Sequence, residues 1–256
     1  MFSPQMALST YLSQYIISLS PPSPCIVGVI GSGGKTSIIE LLASTLVEMG
    51  KRVLIITTTH MGHPDIHHYP FEIYIAENEE VEIGEKWLAH HSLLVASVHG
   101  DKIGPIRDEL YHSLLPHYDI ILVEADGARR KNLKYHRDNE PVLIHLPHLL
   151  IKMIGLSSYN NMIEEELHNA NLFFREHPWQ ETLVEAELIH YLAFTKKGLD
   201  IEAGQKKTLL LYNQSDALNN SQLETLLEKG SPYFKNVSYP IIVGSIHTDT
   251  IEFIKE

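Results

Sequence analysis

The run Gly31-Ser32-Gly33-Gly34-Lys35-Thr36-Ser37 carries the residue types that hold a polyphosphate. Glycines lack a Cβ, so backbone N–H groups can converge on phosphate oxygens. Lys35 supplies a point charge for the outer phosphates, and the Thr36 hydroxyl can ligate Mg²⁺. An ordinary turn explains the glycines but not a Lys-Thr pair at the start of a helix. Glycine six residues before the lysine would complete the common form of this loop; Val29 stands there instead. A second pair of residues supplies what such a loop needs nearby. Glu124 and Asp126, two apart, leave a strand on one side. One can hold the metal or its water shell while the other orients an attacking water, and Gly127 permits close backbone approach. A third pair, Asn213 and Asp216, offers base chemistry. An Asp carboxylate accepts from both the N1 and N2 hydrogens of guanine, a pattern adenine lacks. The rival reading of that pair is a capping turn ahead of a helix at Ser221.

These residues need strands that end where they begin. Ile26-Val27-Gly28-Val29-Ile30 is an apolar, β-branched run directly before the glycine loop, and Ile38 to Met49 repeats apolar residues at helical spacing. Val53 to Ile56 reads as the next core strand, which closes a βαβ unit. Further strands are predicted at Phe71 to Ile75, Leu93 to Val98, Tyr118 to Val123, Leu150 to Ile154, Thr208 to Tyr212 and Val237 to Val243. Helices are predicted at Met6 to Leu19, Glu82 to His90, Arg107 to Leu115 and Ser221 to Leu227, with a short one from Thr248. The alternation implies an α/β fold: a doubly wound, mostly parallel sheet of the P-loop NTPase type, with ligands beyond the carboxyl ends of its strands. Residues 1–24 form a helix and a Pro-rich lead-in, and 25–256 form the domain. An α-rich insertion occupies about 157–200, with a helix from Glu181 to Ala193.

Bulk composition bounds the classes. With 256 residues, 44% of them apolar, the chain can bury a large core. A formal charge of -12 argues against a nucleic-acid surface. The single cysteine, Cys25, heads a core strand and reads as a buried inert thiol. Met6 to Leu19 is interrupted by polar residues and lacks a basic flank, so neither a signal peptide nor a membrane span is expected, and the cytoplasm is the expected compartment. Against the acidic background, Arg129, Arg130, Lys131, Lys134 and Arg137 cluster just after the carboxylates. They can stabilise charge at a γ-phosphate or hold a second anionic ligand such as a pterin phosphate. His60, His63, His67, His68 and Asp65 crowd one loop; in a chain with 16 histidines their spacing reads as a polar loop rather than a metal site.

The Asn213-Gln214-Ser215-Asp216 stretch resembles the base-reading element of GTPases, with Gln214 in place of the usual lysine. More of the chain resembles one family. The glycine loop, Thr57-Thr58-Thr59-His60-Met61, Glu124-Ala125-Asp126-Gly127-Ala128, Leu133-Lys134 and Glu140-Pro141-Val142 occur in the order found in the selenium-dependent molybdenum hydroxylase accessory family, the YqeC-like proteins. The Glu124-to-Gly127 element is also similar to one in the nickel-insertion GTPases of urease and hydrogenase. The family resemblance implies a role in maturing a molybdenum hydroxylase or its pterin cofactor, and it includes Lys134 among the functional positions. The expectation is Mg²⁺-dependent binding and hydrolysis of GTP or ATP, with Lys35, Glu124 and Asp126 catalytic and Thr36, Glu124 and Asp126 at the metal. Two alternatives stay open: a small-molecule kinase or ATP-dependent ligase, and a non-catalytic nucleotide switch that binds a partner protein.

Overall fold

The computed structural model describes residues 6–19, 24–76, 91–99, 102–141, 143, 146–201 and 207–256. The helix expected at Glu82 to His90 lies outside these. At the centre stands β1 (Cys25–Gly31). It is flanked by β7 (Ile120–Glu124) on one side and β9 (Leu149–Gly155) on the other, both parallel to it. Beyond β7 lie β2 (Val53–Thr57) and β5 (Ser92–His99), with β4 (Glu72–Ala76) paired to β5. Beyond β9 lie β11 (Lys207–Asn213) and β12 (Ile241–Ser245). All of these pairings are parallel. The antiparallel additions are at the ends: β6 (Lys102–Gly104) with β3 (Met61–Gly62) at one, and β13 (Thr250–Lys255) at the other.

Strand residues alternate between two faces, and each face has its own cover. Val27, Val29, Val53, Ile55, Leu122 and Ile151 pack with Leu8, Leu12 and Ile16 of α1 (Leu8–Ser18) and with Ile38, Leu42 and Leu46 of α2 (Lys35–Glu48). On the opposite face Ile30, Leu54, Ile56, Ile121 and Val123 meet Tyr111 and Leu114 of α3 (Asp108–Leu114). The same face of β9, β11 and β12 is covered by the 157–200 segment and by the helix after β11. The segment holds α4 (Ile163–Glu166), α5 (Ala170–Glu176) and α6 (Ala186–Phe194), and the helix after β11 is α7 (Asn220–Phe234). Leu188, Ile189 and Leu192 of α6 and Leu226 of α7 pack with Leu210, Tyr212 and Val243. The 157–200 segment is therefore the crossover from β9 to β11, elaborated by short helices.

Several boundaries differ from those expected of the sequence. The last strand of the parallel set starts at Ile241 rather than Val237, because Pro240 has no N–H to donate to a ladder. α6 begins at Ala186 instead of Glu181, since Glu185 is still extended. α7 continues past Leu227 to Phe234, tolerating Pro232 in its last turn. The chain ends in a strand, β13, and not in a helix from Thr248. Thr250, Ile251, Phe253 and Ile254 suit an edge strand, and a turn with Asp249 at φ 53° folds them back on β12. Asp249 also completes α1. Its carboxylate accepts from Ser9 N and Ser9 Oγ, each at 2.7 Å, and its carbonyl accepts from Leu8 N. No helix among the described residues is long and apolar enough to cross a membrane.

Candidate functional site

Register alone aligns the chemistry. Val29 of β1 faces Glu124 of β7, which faces Thr57 of β2, while Gly31 faces Met153 and Asn213 faces Gly155. The carboxyl ends of five neighbouring strands thus lie side by side around β1. Strands following β1 run first to one side of it and then to the other, which makes this the switch point where open α/β sheets place ligands.

The glycine loop is fixed from three directions. Gly31 N donates to Asp126 Oδ2 at 2.9 Å and Ser32 N to Met153 O at 3.0 Å. Ser32 Oγ donates to Asn132 O, which also accepts from Gly155 N. The loop could not carry a side chain at Gly33, where φ is 78° and a Cβ would collide with Gly155 Cα. Gly34, at φ 114°, opens α2 with no side-chain cap, so no side chain occupies the helix's first amides. Uncapped amides with a positive dipole end suit an anion. Thr36 and the exposed Ser37 lie in that first turn.

The two carboxylates, only two residues apart, have opposite environments. Asp126 is enclosed by two lysines and a histidine: Lys35 Nζ at 3.2 Å, Lys134 Nζ at 3.4 Å and His136 Nε2 at 2.8 Å. His136 Nδ1 lies 2.6 Å from Gly198 O, so both ring nitrogens face oxygen atoms. Burial alone would push the Asp126 carboxyl up, but Lys35, the His136 hydrogen bond and Lys134 together hold it well below the usual carboxylate range. Asp126 Oδ1 touches Lys35 without hydrogen-bonding geometry and is left with no hydrogen bond. Glu124 is also buried, and its Oε2 accepts from Thr36 Oγ1 at 3.0 Å. Burial raises its carboxyl above the usual range, against the opposing pull of Lys35 and Thr36.

Lys35 Nζ donates to Gly31 O at 2.7 Å in addition to its ion pair. Lys134 is buried as well. It donates to Gly127 O at 2.7 Å and pairs with Glu140 at 3.4 Å, so it fastens the turn after β7 rather than reaching solvent. Lys134 lies on β8 (Leu133–Lys134), which pairs with β10 (Leu167–His168) of the crossover.

Asn213 does not cap a helix. Its Nδ2 donates to Gly33 O at 2.7 Å and its Oδ1 accepts from Ile246 N at 3.0 Å, so it ties the glycine loop to the end of β12. α7 is capped by Asn219 in a reciprocal box with Gln222, which removes the rival reading. Asp216 is exposed, in the short turn Ser215–Ala217. Gln214 turns away, its Oε1 accepting from Ser157 Oγ at 2.9 Å, and does not cover a base site.

In the histidine-rich loop, His67 contacts Glu40 at 2.8 Å and His63 contacts Asp65 at 3.3 Å. Among the described residues no three His, Cys, Asp or Glu side chains are grouped to hold a metal. Cys25 is buried, and burial pushes its thiol up to about 11.

His136 and Asn132 are site residues that motif and spacing did not single out. Lys134 and His136 are two apart in an extended segment and both turn to Asp126; that alternation was the available signal. Together these features define an open α/β-sheet protein whose polar residues are concentrated at its switch point. The family model described as YqeC protein matches residues 27–171, more than half of the sequence, and the chain belongs to the YqeC family. It is 32% identical over 143 residues to the uncharacterized protein YqeC of Escherichia coli (strain K12), a match that covers 52% of each chain. The chain thus spans about half the length of this curated relative. The family match takes in the loop, both carboxylates, Lys134 and His136, and stops short of Asn213 and Asp216.

Proposed function

We propose that this protein binds a nucleoside triphosphate with Mg²⁺ in a P-loop-type site at the end of β1, and hydrolyses it in support of molybdenum hydroxylase maturation. The observation that carries the reading is the convergence, on one uncapped helix start, of the glycine loop, buried Lys35 and the Thr36–Glu124 pair. Helix amides and glycine N–H groups would hold the phosphates, and Lys35 would exchange its bond to Gly31 O for the outer phosphates.

The residues fit a magnesium ion in a divided way. Thr36 Oγ1 and Glu124 already lie side by side, a hydroxyl and a carboxylate of the hard-oxygen type Mg²⁺ takes. Asp126 is unsuited to direct ligation, because it is fully buried and already held by Lys35, Lys134 and His136. A bound Mg²⁺ would supply charge neutralisation at the phosphates. Asp126 would then hold Lys35 and the Gly31 amide in place, and Glu124 would orient water near the γ-phosphorus. GTP is favoured over ATP by Asp216, an exposed carboxylate placed after the β11 end that Asn213 ties to the loop.

Calorimetric titration with GTP and ATP, each with Mg²⁺, tests the reading. Binding of either is expected, weakened by Lys35→Ala; folded protein that binds neither overturns it.

A further inference from the structure

The segment leaving β7 also walls a second space. An open cavity of about 770 Å³ lies between residues 129–138, the α4–β10–α5 stretch and Lys197, within the size range of small-molecule sites. Three arginines line it: Arg129, Arg137 and Arg175. Its acidic residues do not cancel them. Five basic and three acidic side chains line it, a surplus of two positive charges; Lys197 sits 3.0 Å from Asp138 and 2.8 Å from Glu176, and Lys131 Nζ donates to the Glu164 carbonyl. Among the described residues, Arg129, Arg137 and Arg175 have no ion-pair partner. An unbalanced arginine trio in a chain of formal charge -12 is a local reversal of sign.

Two further observations point to this cavity. Arg129 and Arg130 both have positive φ, 50° and 62°, a left-handed pair that costs free energy in residues with a Cβ and is kept where it positions a group. His168, on the cavity wall, is pushed down to about 4, by burial first and then by Lys134, Arg129 and Arg137, with Glu140 opposing. It stands there neutral, able both to donate and to accept.

We propose that this cavity binds a phosphorylated small molecule whose phosphate is gripped by Arg129, Arg137 and Arg175. Guanidinium forks match phosphate oxygens two at a time, which arginines on one cavity wall exploit better than lysines would. The cavity is distinct from the glycine loop but shares a strand with it. His168 on β10 lies opposite Lys134 on β8, and Lys134 pairs with Asp126. Phosphate capture here does not depend on nucleotide binding.

Ribose 5-phosphate serves as the probe, with ribose as control, in calorimetric titrations of the full chain. The Lys35→Ala variant removes the phosphate lysine of the glycine loop. Ribose 5-phosphate, and not ribose, is expected to bind this variant. Adding Arg137→Ala, or Arg175→Ala, is expected to weaken that binding about tenfold each, the size of one charge-assisted hydrogen bond. Both arginines are exposed, so the substitutions leave the core intact. Absence of binding to folded Lys35→Ala, or binding unchanged by both arginine substitutions, overturns the proposal. Ribose 5-phosphate binding without GTP or ATP binding would sink the nucleotide reading alone; the reverse would sink only the cavity.

Discussion

Asp126→Asn and Glu124→Gln should shift stability in different directions, although the two positions are neighbours on one strand end. Asparagine keeps the shape of Asp126 and can still accept from Gly31 N, but its amide then presents donors to Lys35 and Lys134, both almost fully buried. Removing one partner of a buried ion pair costs about 3–5 kcal/mol. Unfolding entropy of about 2.1 cal/mol/K per residue makes each kcal/mol worth about 2 °C in a chain of 256 residues, so the midpoint should fall by about 6–9 °C. Glutamine at 124 keeps the Thr36 hydrogen bond and removes a charge that burial opposes, so no loss is expected there. Acidity separates them further. The folded-state value of Asp126 lies below its ordinary 3.8, so its contribution is complete above that value and is lost as pH falls through the folded one. Glu124 is raised above its ordinary 4.5; its unfavourable contribution grows as pH rises from there and vanishes in acid. Circular-dichroism melts of the parent and both variants from about pH 2 to 8 read this out. A drop under about 2 °C for Asp126→Asn, or equal drops in both variants, would refute the division of roles.

Asn213→Ala should loosen the glycine loop, because Gly33 O and Ile246 N lose their shared partner; we expect a loss of about 1–3 kcal/mol by denaturant unfolding. Asp249→Ala uncaps α1 and should cost about 1 kcal/mol, or a midpoint about 2 °C lower in calorimetry. The His168 ring should remain neutral down to about pH 4 in a nitrogen-15 NMR titration. Arg129→Ala should move its titration upward, since one of the cations that oppose its protonation is removed.

Much of the central sheet could be read in advance because its strands are buried on both faces. Ile120 to Val123 and Val53 to Ile56 are unbroken apolar runs, the signature of interior parallel strands. The loop before Lys35 and the carboxylates after Val123 were legible for the same reason, since each comes directly after such a run. The short helices Ile163–Glu166 and Ala170–Glu176 were not, because tertiary packing around Phe173 fixes them more than local periodicity does. Thr250 to Lys255 is too brief for its pattern to exclude a helix; pairing with β12 decides it. The division between Glu124 and Asp126 was invisible, since it depends on His136 and Lys134 returning to the same carboxylate.

The Asp249 latch on α1 bears on how the chain folds. Ser9 and its acceptor are 240 residues apart, so the start of α1 is closed only once the turn before β13 has formed. Such distant contacts form late in folding. Loss of β13 would therefore open the start of α1 while Leu8, Leu12 and Ile16 stay packed on α2 and the sheet.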